Sequence, residues 1–566
     1  LTGRAPAEVG TARATQGIEA RTPVDVLRSV ARAGTASVTF HLDEGPTAIP
    51  AATLLEQAER SARVLTGLGV GPGDRVGIIG RNRPEWLRSA VACWIAGATV
   101  VPLPFHLRIR DRTTLASSLE RLVRTAACRL VLSEARFLPA LPVGFGVPWE
   151  MADGVPDGAV DGGPDALTDL AVIQFTSGST AEPKGACLTH AGILAAMDGY
   201  GRVLGARPGV DAFVSWLPFF HDWGLFGFAL RPLMLGCDLH ILPTERFAAS
   251  PERWFRVITD VRATMTAGPP SSVVAALRTV GRADAEHHAL DLSSIRWLHL
   301  GAERTDPLAV DEIVERAGRM GLRRTAIGTG YGMAEATLGL TGTVPGTGQR
   351  FDHVDAGALA HGFAEPAPPG GAQRVTSCGP PLPSVVLRIV DDGRVVPDRT
   401  VGEVQARGPS MMRGYLTGNT GRPVEQPFED GWLRTGDMGY LADGELFVVG
   451  RVKDLIIARG RNIAPEDAEW AAARVDGVRV GRVVAFAPSE ASEGTMVIAF
   501  EATRGADPIG VRDRVRDAVT DAVELVPAAV LLVEEGTIPK TTSGKLRRSE
   551  VRERYERGEL VDRTCA

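Results

Sequence analysis

The sequence predicts an α/β protein with a large, multi-sheet N-terminal domain and a small α+β C-terminal domain. Three observations carry this. At 566 residues the chain is too long for a single hydrophobic core. Short apolar runs alternate with amphipathic helical stretches, the pattern of strand–helix units and largely parallel sheets. The composition then shifts near residue 450, leaving roughly a hundred residues, enough for an independent unit. The expected division is a disordered tail over 1–20, a large domain over 21–449, a hinge at 450–453 and a small domain over 454–566.

The elements follow in order. Residues 1–20 are rich in Ala, Gly, Arg and Thr with few large apolar groups, hence the disordered tail. Residues 51–68 have helical spacing, and 69–79 read as a turn feeding a buried strand. Residues 91–105 read as a buried helix running into a strand. A short buried strand at 171–175 leads at once into a Thr/Ser/Gly loop, after which Thr189 can cap a helix reaching about residue 204. Residues 341–377 form a long Gly/Pro-rich stretch with one short helix-like piece, VDAGALAHG. Near and beyond 450 the spacing predicts a hairpin of ELFVVG with DLIIARG, the helix PEDAEWAAARV, and the strands GRVVAFA and TMVIAFEA. A helix near 510–523 and a last strand complete it.

Composition excludes several classes. A hydrophobic content of 44% with 23% charged residues is that of a soluble globular protein. A net charge of −6 gives no polyanion-binding surface, so nucleic acid is not an expected partner. The longest apolar run, 91–105, is too short to span a bilayer, so no membrane span is expected. The N-terminus has no apolar signal core, and the expected location is cytoplasmic. The six cysteines are scattered without a CxxC pair, as suits reduced, buried thiols rather than disulfides or zinc ligands.

Only four of the 62 basic residues are lysines: Lys184, Lys453, Lys540 and Lys545. All fall in motifs where a compact ammonium on a flexible stem differs from a planar guanidinium. Thr176-Ser177-Gly178-Ser179-Thr180, closed by Lys184-Gly185, has the small and hydroxyl residues that wrap phosphate oxygens, without the spacing of a Walker A loop. His221-Asp222-Trp223-Gly224 follows an aromatic stretch. In Gly330-Tyr331-Gly332-Met333-Ala334-Glu335 the aromatic can stack on a base. Glu335 is an oxygen donor of the kind Mg²⁺ takes beside phosphates, or a carboxylate in a helix first turn. Asp437 suits a ribose diol and Arg451 a ribose or phosphate; either can also be an ordinary turn or surface residue. Thr541-Thr542-Ser543-Gly544-Lys545 is a flexible loop carrying a cation.

In this order the motifs resemble the adenylate-forming superfamily of acyl-CoA ligases, peptide-synthetase adenylation domains and luciferases, over roughly residues 25–550. The strings LPFFHDWGLFG, YGMAEATL, SCGPPLP and DLIIARGRN look most like fatty acyl-AMP ligases, as does the long stretch from Glu335 to Gly379. The resemblance implies a large ATP- and acyl-binding domain with a small mobile domain carrying the catalytic lysine. It implies a phosphate loop of Thr176, Ser177, Gly178, Ser179, Thr180 and Lys184. Gly301, Ala302, Glu303, Gly330, Tyr331, Gly332 and Met333 would line the adenine pocket, and Asp437 and Arg451 would hold the ribose. Glu335 would hold Mg²⁺, Lys453 would mark the hinge, and His221, Asp222 and Trp223 would border the acyl pocket. The expected catalytic residues are Lys545, Glu335, Thr180 and His221.

The implied reaction joins ATP and a fatty or other apolar carboxylic acid into acyl-AMP, with transfer to an acyl carrier protein or CoA. The rivals are an acyl-CoA ligase, an amino-acid adenylation enzyme using Asp222 for the α-ammonium, and a non-catalytic nucleotide sensor. Three departures from the common pattern stand at Ala181, at Trp223 where methionine is frequent, and at Ile463-Ala464.

Overall fold

Two largely parallel sheets form the body of the N-terminal region. The computed structural model describes residues 20–105, 112–149, 169–176, 183–283, 290–417, 423–425, 427–490, 492–541 and 544–564. One sheet runs Ile327–Thr329, Trp297–Leu300, Met265–Gly268, Ala212–Ser215, Asp238–Ile241, Ser37–Leu42 and Gly45–Pro50, with only the last strand antiparallel to its neighbour. The other holds the parallel strands Leu170–Phe175, Thr99–Pro102, Arg75–Ile79, Leu130–Ser133 and Gly146–Pro148, continued by the antiparallel Gly185–Thr189, Tyr415–Leu416 and Pro423–Glu425. Helices cover these sheets because the strands are apolar on both faces. Fully buried Trp86, Trp94, Trp254 and Trp297 lie in this core.

Local signals start several elements where the sequence places them. Thr189 accepts from Gly192 N at 2.9 Å and opens the helix His190–Leu204, whose Ile193, Ala196, Met197, Tyr200 and Leu204 are buried. The tail expected over 1–20 lies outside the described residues except for Ala20. Among the described residues, no helix is long and apolar enough to cross a membrane.

Beside the two largely parallel sheets stands an antiparallel one, in which Val386–Asp391, Gly402–Arg407, Trp432–Ala442 and Glu445–Arg451 pair. The structure corrects one local expectation. The strand ELFVVG does not pair with DLIIARG. It folds back on Trp432–Ala442 across Asp443-Gly444, both at positive φ (52° and 76°), a two-residue hairpin turn. That turn sets the register from Ala442 opposite Glu445 to Gly439 opposite Val448, and a bulge at Val449 then shifts it by one, putting Asp437 opposite Arg451. Ile456–Ala458 instead pairs with Arg461–Ile463 across Arg459-Gly460, also at positive φ. Within 341–377 the structure adds an antiparallel pair, Phe351–Val354 with Gln373–Thr376, to the short helix Ala356–Ala360.

From Ile456 onward a separate apolar core gathers Ile456, Ala468, Val483, Ile498, Phe500, Val515 and Leu532. It joins the helices Pro465–Ala473 and Pro508–Val523 to the sheet Val478–Phe486, Val497–Ala502 and Ala529–Val533. A closing helix, Arg548–Glu556, was not anticipated.

Candidate active site

The hairpin register supplies the first cluster. Asp437 is 5% exposed, and its Oδ1 accepts from Arg451 Nε at 2.8 Å while Oδ2 accepts from the Tyr331 hydroxyl at 2.6 Å. Thr435 Oγ1 accepts from Asp437 N at 3.1 Å and fixes the turn. Burial, reinforced by the Asp437 carboxylate, holds the Tyr331 hydroxyl well above its ordinary pKa, so it stays protonated and donates. Three of the expected nucleotide residues therefore form one hydrogen-bonded group, with the tyrosine tied to Asp437.

Two neighbouring parallel strands deliver the next residues. Trp297–Leu300 ends in Gly301-Ala302-Glu303, and Ile327–Thr329 ends in Gly330-Tyr331-Gly332-Met333. A Cβ on Gly332 would stand 2.1 Å from the Leu338 carbonyl oxygen, so only glycine lets these loops close together. Met333 N donates to that carbonyl at 2.8 Å, and Glu303 accepts from Ser271 N at 2.8 Å. Loops leaving the carboxyl ends of parallel strands are where α/β sheets bind ligands.

Glu335 sits on the short 3₁₀ turn Ala334–Ala336 and is half-buried. Its Oε1 accepts from the Tyr415 hydroxyl, and the Lys184 ammonium lies 5.4 Å from the Tyr415 ring centroid. Tyr415 thus links the phosphate-loop lysine to the carboxylate; the sequence reading missed it, and its only local signal is an aromatic in a Gly-rich stretch. Burial raises the Glu335 pKa. At the base of the loop, Thr176 N donates to Lys184 O at 3.1 Å, between antiparallel strands. Ser177, Gly178, Ser179 and Thr180 lie outside the described residues.

His221 Nδ1 is 2.5 Å from Asp222 Oδ1, which also accepts from Trp223 N at 2.6 Å. Burial would raise the Asp222 pKa, but His221 and Lys545 outweigh it and hold the carboxylate below its ordinary range. The Trp223 ring is buried, 5.6 Å from the His299 ring.

Lys545 reaches this cluster from the C-terminal region. Its loop is closed by Thr541 N donating to Lys545 O at 2.7 Å and Lys545 N donating to Thr541 Oγ1 at 3.1 Å. Burial lowers its pKa first and Arg451 second, against the pull of Asp222, Asp437 and Glu303. The ammonium is therefore within electrostatic reach of Arg451, Asp222, Asp437 and Glu303. Lys453 lies at the C-terminal exit of the Asp437–Arg451 hairpin, and burial lowers its pKa.

The pose is held by contacts the sequence reading also missed. Arg304 Nη1 donates to Asp467 Oδ1 at 2.6 Å, and its guanidinium stands 4.7 Å over the Trp470 ring. Arg474 pairs with Asp306, and Gln373 Nε2 reaches Asp467 Oδ2 at 3.5 Å. Arg304 directly follows the Gly301–Glu303 loop, so this clamp grips the Lys545-bearing region beside the site.

Among the described residues no three His, Cys, Asp or Glu side chains gather as a metal site. A divalent ion held through phosphates needs only one or two carboxylates, and Glu335, with one oxygen fixed by a phenol, fits that role.

Comparison with known proteins identifies the family. The profile of the family described as AMP-binding enzyme matches residues 32–416. A Mycobacterium tuberculosis protein whose name goes no further than ligase is 37% identical over 507 residues, covering 87% of this chain and 92% of its own. A medium-chain-fatty-acid–[acyl-carrier-protein] ligase of Moorena producens is 32% identical, with 92% of this chain and 90% of that one covered. A solved structure from a study of fatty acyl-adenylate ligases of E. coli and L. pneumophila superposes with a TM-score of 0.87 at 29% identity, covering 95% of this chain and 98% of that one. The chain belongs to the family of AMP-binding enzymes, within its group of acyl-acid:AMP ligases.

Proposed function

We propose that this ligase activates a fatty or other largely apolar carboxylic acid with ATP and hands the acyl group to a carrier-protein thiol. The acid's carboxylate attacks the α-phosphorus, the bond to the β-phosphate oxygen breaks, and acyl-AMP and pyrophosphate result. One observation carries the reading: the hydrogen-bonded group of Tyr331, Asp437 and Arg451 stands where the large-domain strands end, and the Lys545 ammonium of the C-terminal region is drawn toward Asp437 and Asp222 there. In that position the ammonium stabilises charge building on the α-phosphate. Asp437 and Arg451 hold the ribose; Tyr331 and the 301–303 and 330–333 loops enclose the base. Lys184 and the residues from Thr176 to Thr180 hold the departing pyrophosphate. Catalysis here is positioning and charge neutralisation.

Glu335 would hold Mg²⁺ together with phosphate oxygens; when bound, the ion neutralises phosphate charge. His221, oriented by Asp222, borders the carboxylate. The division into a large domain (21–449), a hinge at Lys453 and a small rotating domain is supported by the separate apolar core beyond Ile456. The carrier-protein acceptor is supported by the relative of that name. Acid-dependent, Mg²⁺-dependent ATP–pyrophosphate exchange tests the reading. Exchange with amino acids and with no apolar acid would overturn it.

A further inference from the structure

Behind the candidate acyl side lies a buried charge with no carboxylate paired to it among the described residues. Arg231 is 1% exposed, at the end of the helical turn Trp223–Leu230 that begins at His221-Asp222-Trp223. Its guanidinium stands over three rings: 4.7 Å from Tyr200, 5.3 Å from Phe228 and 5.7 Å from Trp297. Among the described residues, no acceptor reaches its Nε or Nη2. Buried guanidinium hydrogens are ordinarily satisfied, because leaving them without acceptors is costly.

The two orphaned atoms share one edge of the guanidinium. Elsewhere in this protein that edge grips carboxylates: Arg278 Nε and Nη2 donate to the two oxygens of Glu312 at 2.8 and 2.7 Å. At Arg231 the same fork is presented with no carboxylate. A neighbour shares the deficit, since the buried His299 has Nδ1 without a partner, and burial and then Arg231 push its pKa down to about 3. His299 is therefore neutral beside a permanent cation.

The cluster is continuous with the candidate site. Trp223 packs edge-on to His299 at 5.6 Å, and Tyr200 lies 6.5 Å from His299. The Tyr200 hydroxyl feels both Arg231 and Asp222. A Cβ on Gly330 would stand 2.7 Å from His299, and one on Gly339 would stand 1.9 Å from the Tyr200 hydroxyl. The nucleotide loop thus runs directly over this cluster, and the Trp223 ring joins it to His221-Asp222, the side on which the acyl group is expected.

We propose that Arg231 closes the far end of the acyl site and that the preferred acid carries a second, distal carboxylate, which Arg231 binds through its Nε/Nη2 edge. The proposal rests on the acid-activating function above and narrows its substrate to chains that are apolar in the middle and anionic at both ends. Arg231 is sealed from solvent in this structure, so binding requires rings packed around it, Tyr200 among them, to turn.

The test is ATP–pyrophosphate exchange by the full chain with α,ω-dicarboxylic acids from succinate to sebacate. Each is compared with the monocarboxylic acid of equal carbon number. At the best length the dicarboxylic acid should lead in kcat/KM by on the order of a hundredfold, since sites built for a polar group reject analogues lacking it. Arg231→Met should collapse that ratio to near one or reverse it. Wild-type exchange with monocarboxylic acids and no dicarboxylic advantage at any length would overturn the proposal and leave acid activation standing. Exchange with no acid at all would overturn the functional reading beneath it. If Arg231→Met fails to fold, the wild-type ratios still decide.

Discussion

Two regions bury cations in opposite ways. In the C-terminal region Arg548 is enclosed by acids: Nη1 donates to Asp454 at 2.8 Å, and Nη2 donates to Glu466 at 3.0 Å and Glu469 at 2.9 Å. Burial alone would lower its pKa, but the three carboxylates push it up. At the candidate site Arg231 has rings instead of acids, and burial drives it down to about 10. Lys545, only three residues before Arg548, is lowered as well. A guanidinium bonded directly to several carboxylates ties elements together; cations with no carboxylate in direct contact among the described residues have charge to offer a ligand. Buried charge in this protein therefore separates into scaffold and site.

The largest test of this contrast is on stability. Arg548→Leu leaves buried Glu469 and partly buried Asp454 and Glu466 without their cation, and removing one partner of a buried group costs about 3–5 kcal/mol. Chemical denaturation should show this loss, with the helix Arg548–Glu556 released from Pro465–Ala473. Lys545→Ala should leave the denaturation midpoint nearly unchanged. Equal loss in both variants would erase the distinction between the two regions.

Next comes the reaction itself. Removing a preorganised charge from a water-excluded site costs about 3–4 kcal/mol, roughly 10²–10³ in rate. Lys545→Ala and Lys545→Arg should both lose adenylation by that factor while still binding ATP, because a guanidinium is too wide for one ammonium's place. Transfer from pre-made acyl-AMP to a thiol should fall much less. Near-normal adenylation by Lys545→Arg would mean that charge alone matters there.

A third test uses pH. His299 and His190 are buried and neutral, with pKa values pushed down by burial to about 3 and about 4 from an ordinary 6.5. Between those values and 6.5 the unfolded chain binds protons that the native chain does not, so stability rises with pH across that window. Full stability is present above pH 6.5 and is lost as pH falls toward 4. At pH 5 each histidine contributes a loss of about 2 kcal/mol. Urea midpoints measured from pH 7 to pH 4.5 should fall accordingly, and His190→Gln should flatten the slope. An unchanged slope would show that His190 is not the buried neutral group described here.

How much of this was legible in the sequence depended on distance along the chain. The helix opening at Thr189 and the strand Leu170–Phe175 follow from local spacing and capping. Lys545 stood out because the chain uses lysine so rarely. The antiparallel pairing of Phe351–Val354 with Gln373–Thr376 did not emerge, since the intervening Gly/Pro-rich segment hides its register. The bond from Tyr331 to Asp437 spans 106 positions and that from Arg304 to Asp467 spans 163, and no local period encodes either. Asp443-Gly444 was a readable turn signal, yet the strand after it was paired with the wrong neighbour. Arg231 is the sharpest miss: an arginine before a proline looks like a surface residue until three rings are seen around it.

The smallest expected effect bears on how the two regions are coupled. Arg304 connects them through Asp467 and Trp470, with its side chain 10% exposed and that of Asp467 24%. A partly exposed ion pair with a cation–π contact is worth about 1 kcal/mol. That is small against folding but not against a balance between two domain poses, where it changes the population ratio roughly fivefold. Arg304→Ala should therefore leave the denaturation midpoint nearly unchanged. Adenylation, which needs Lys545 at the site, should slow by about that factor as the closed pose is lost. Transfer to a thiol from pre-made acyl-AMP should hold steady or rise, because the released region is freer to turn. Asp467→Asn should act in the same direction and add little to Arg304→Ala, since both remove one contact. If adenylation and transfer fall together, the clamp only stiffens the site. If they move apart, this weak surface pair sets which half-reaction the buried cations serve.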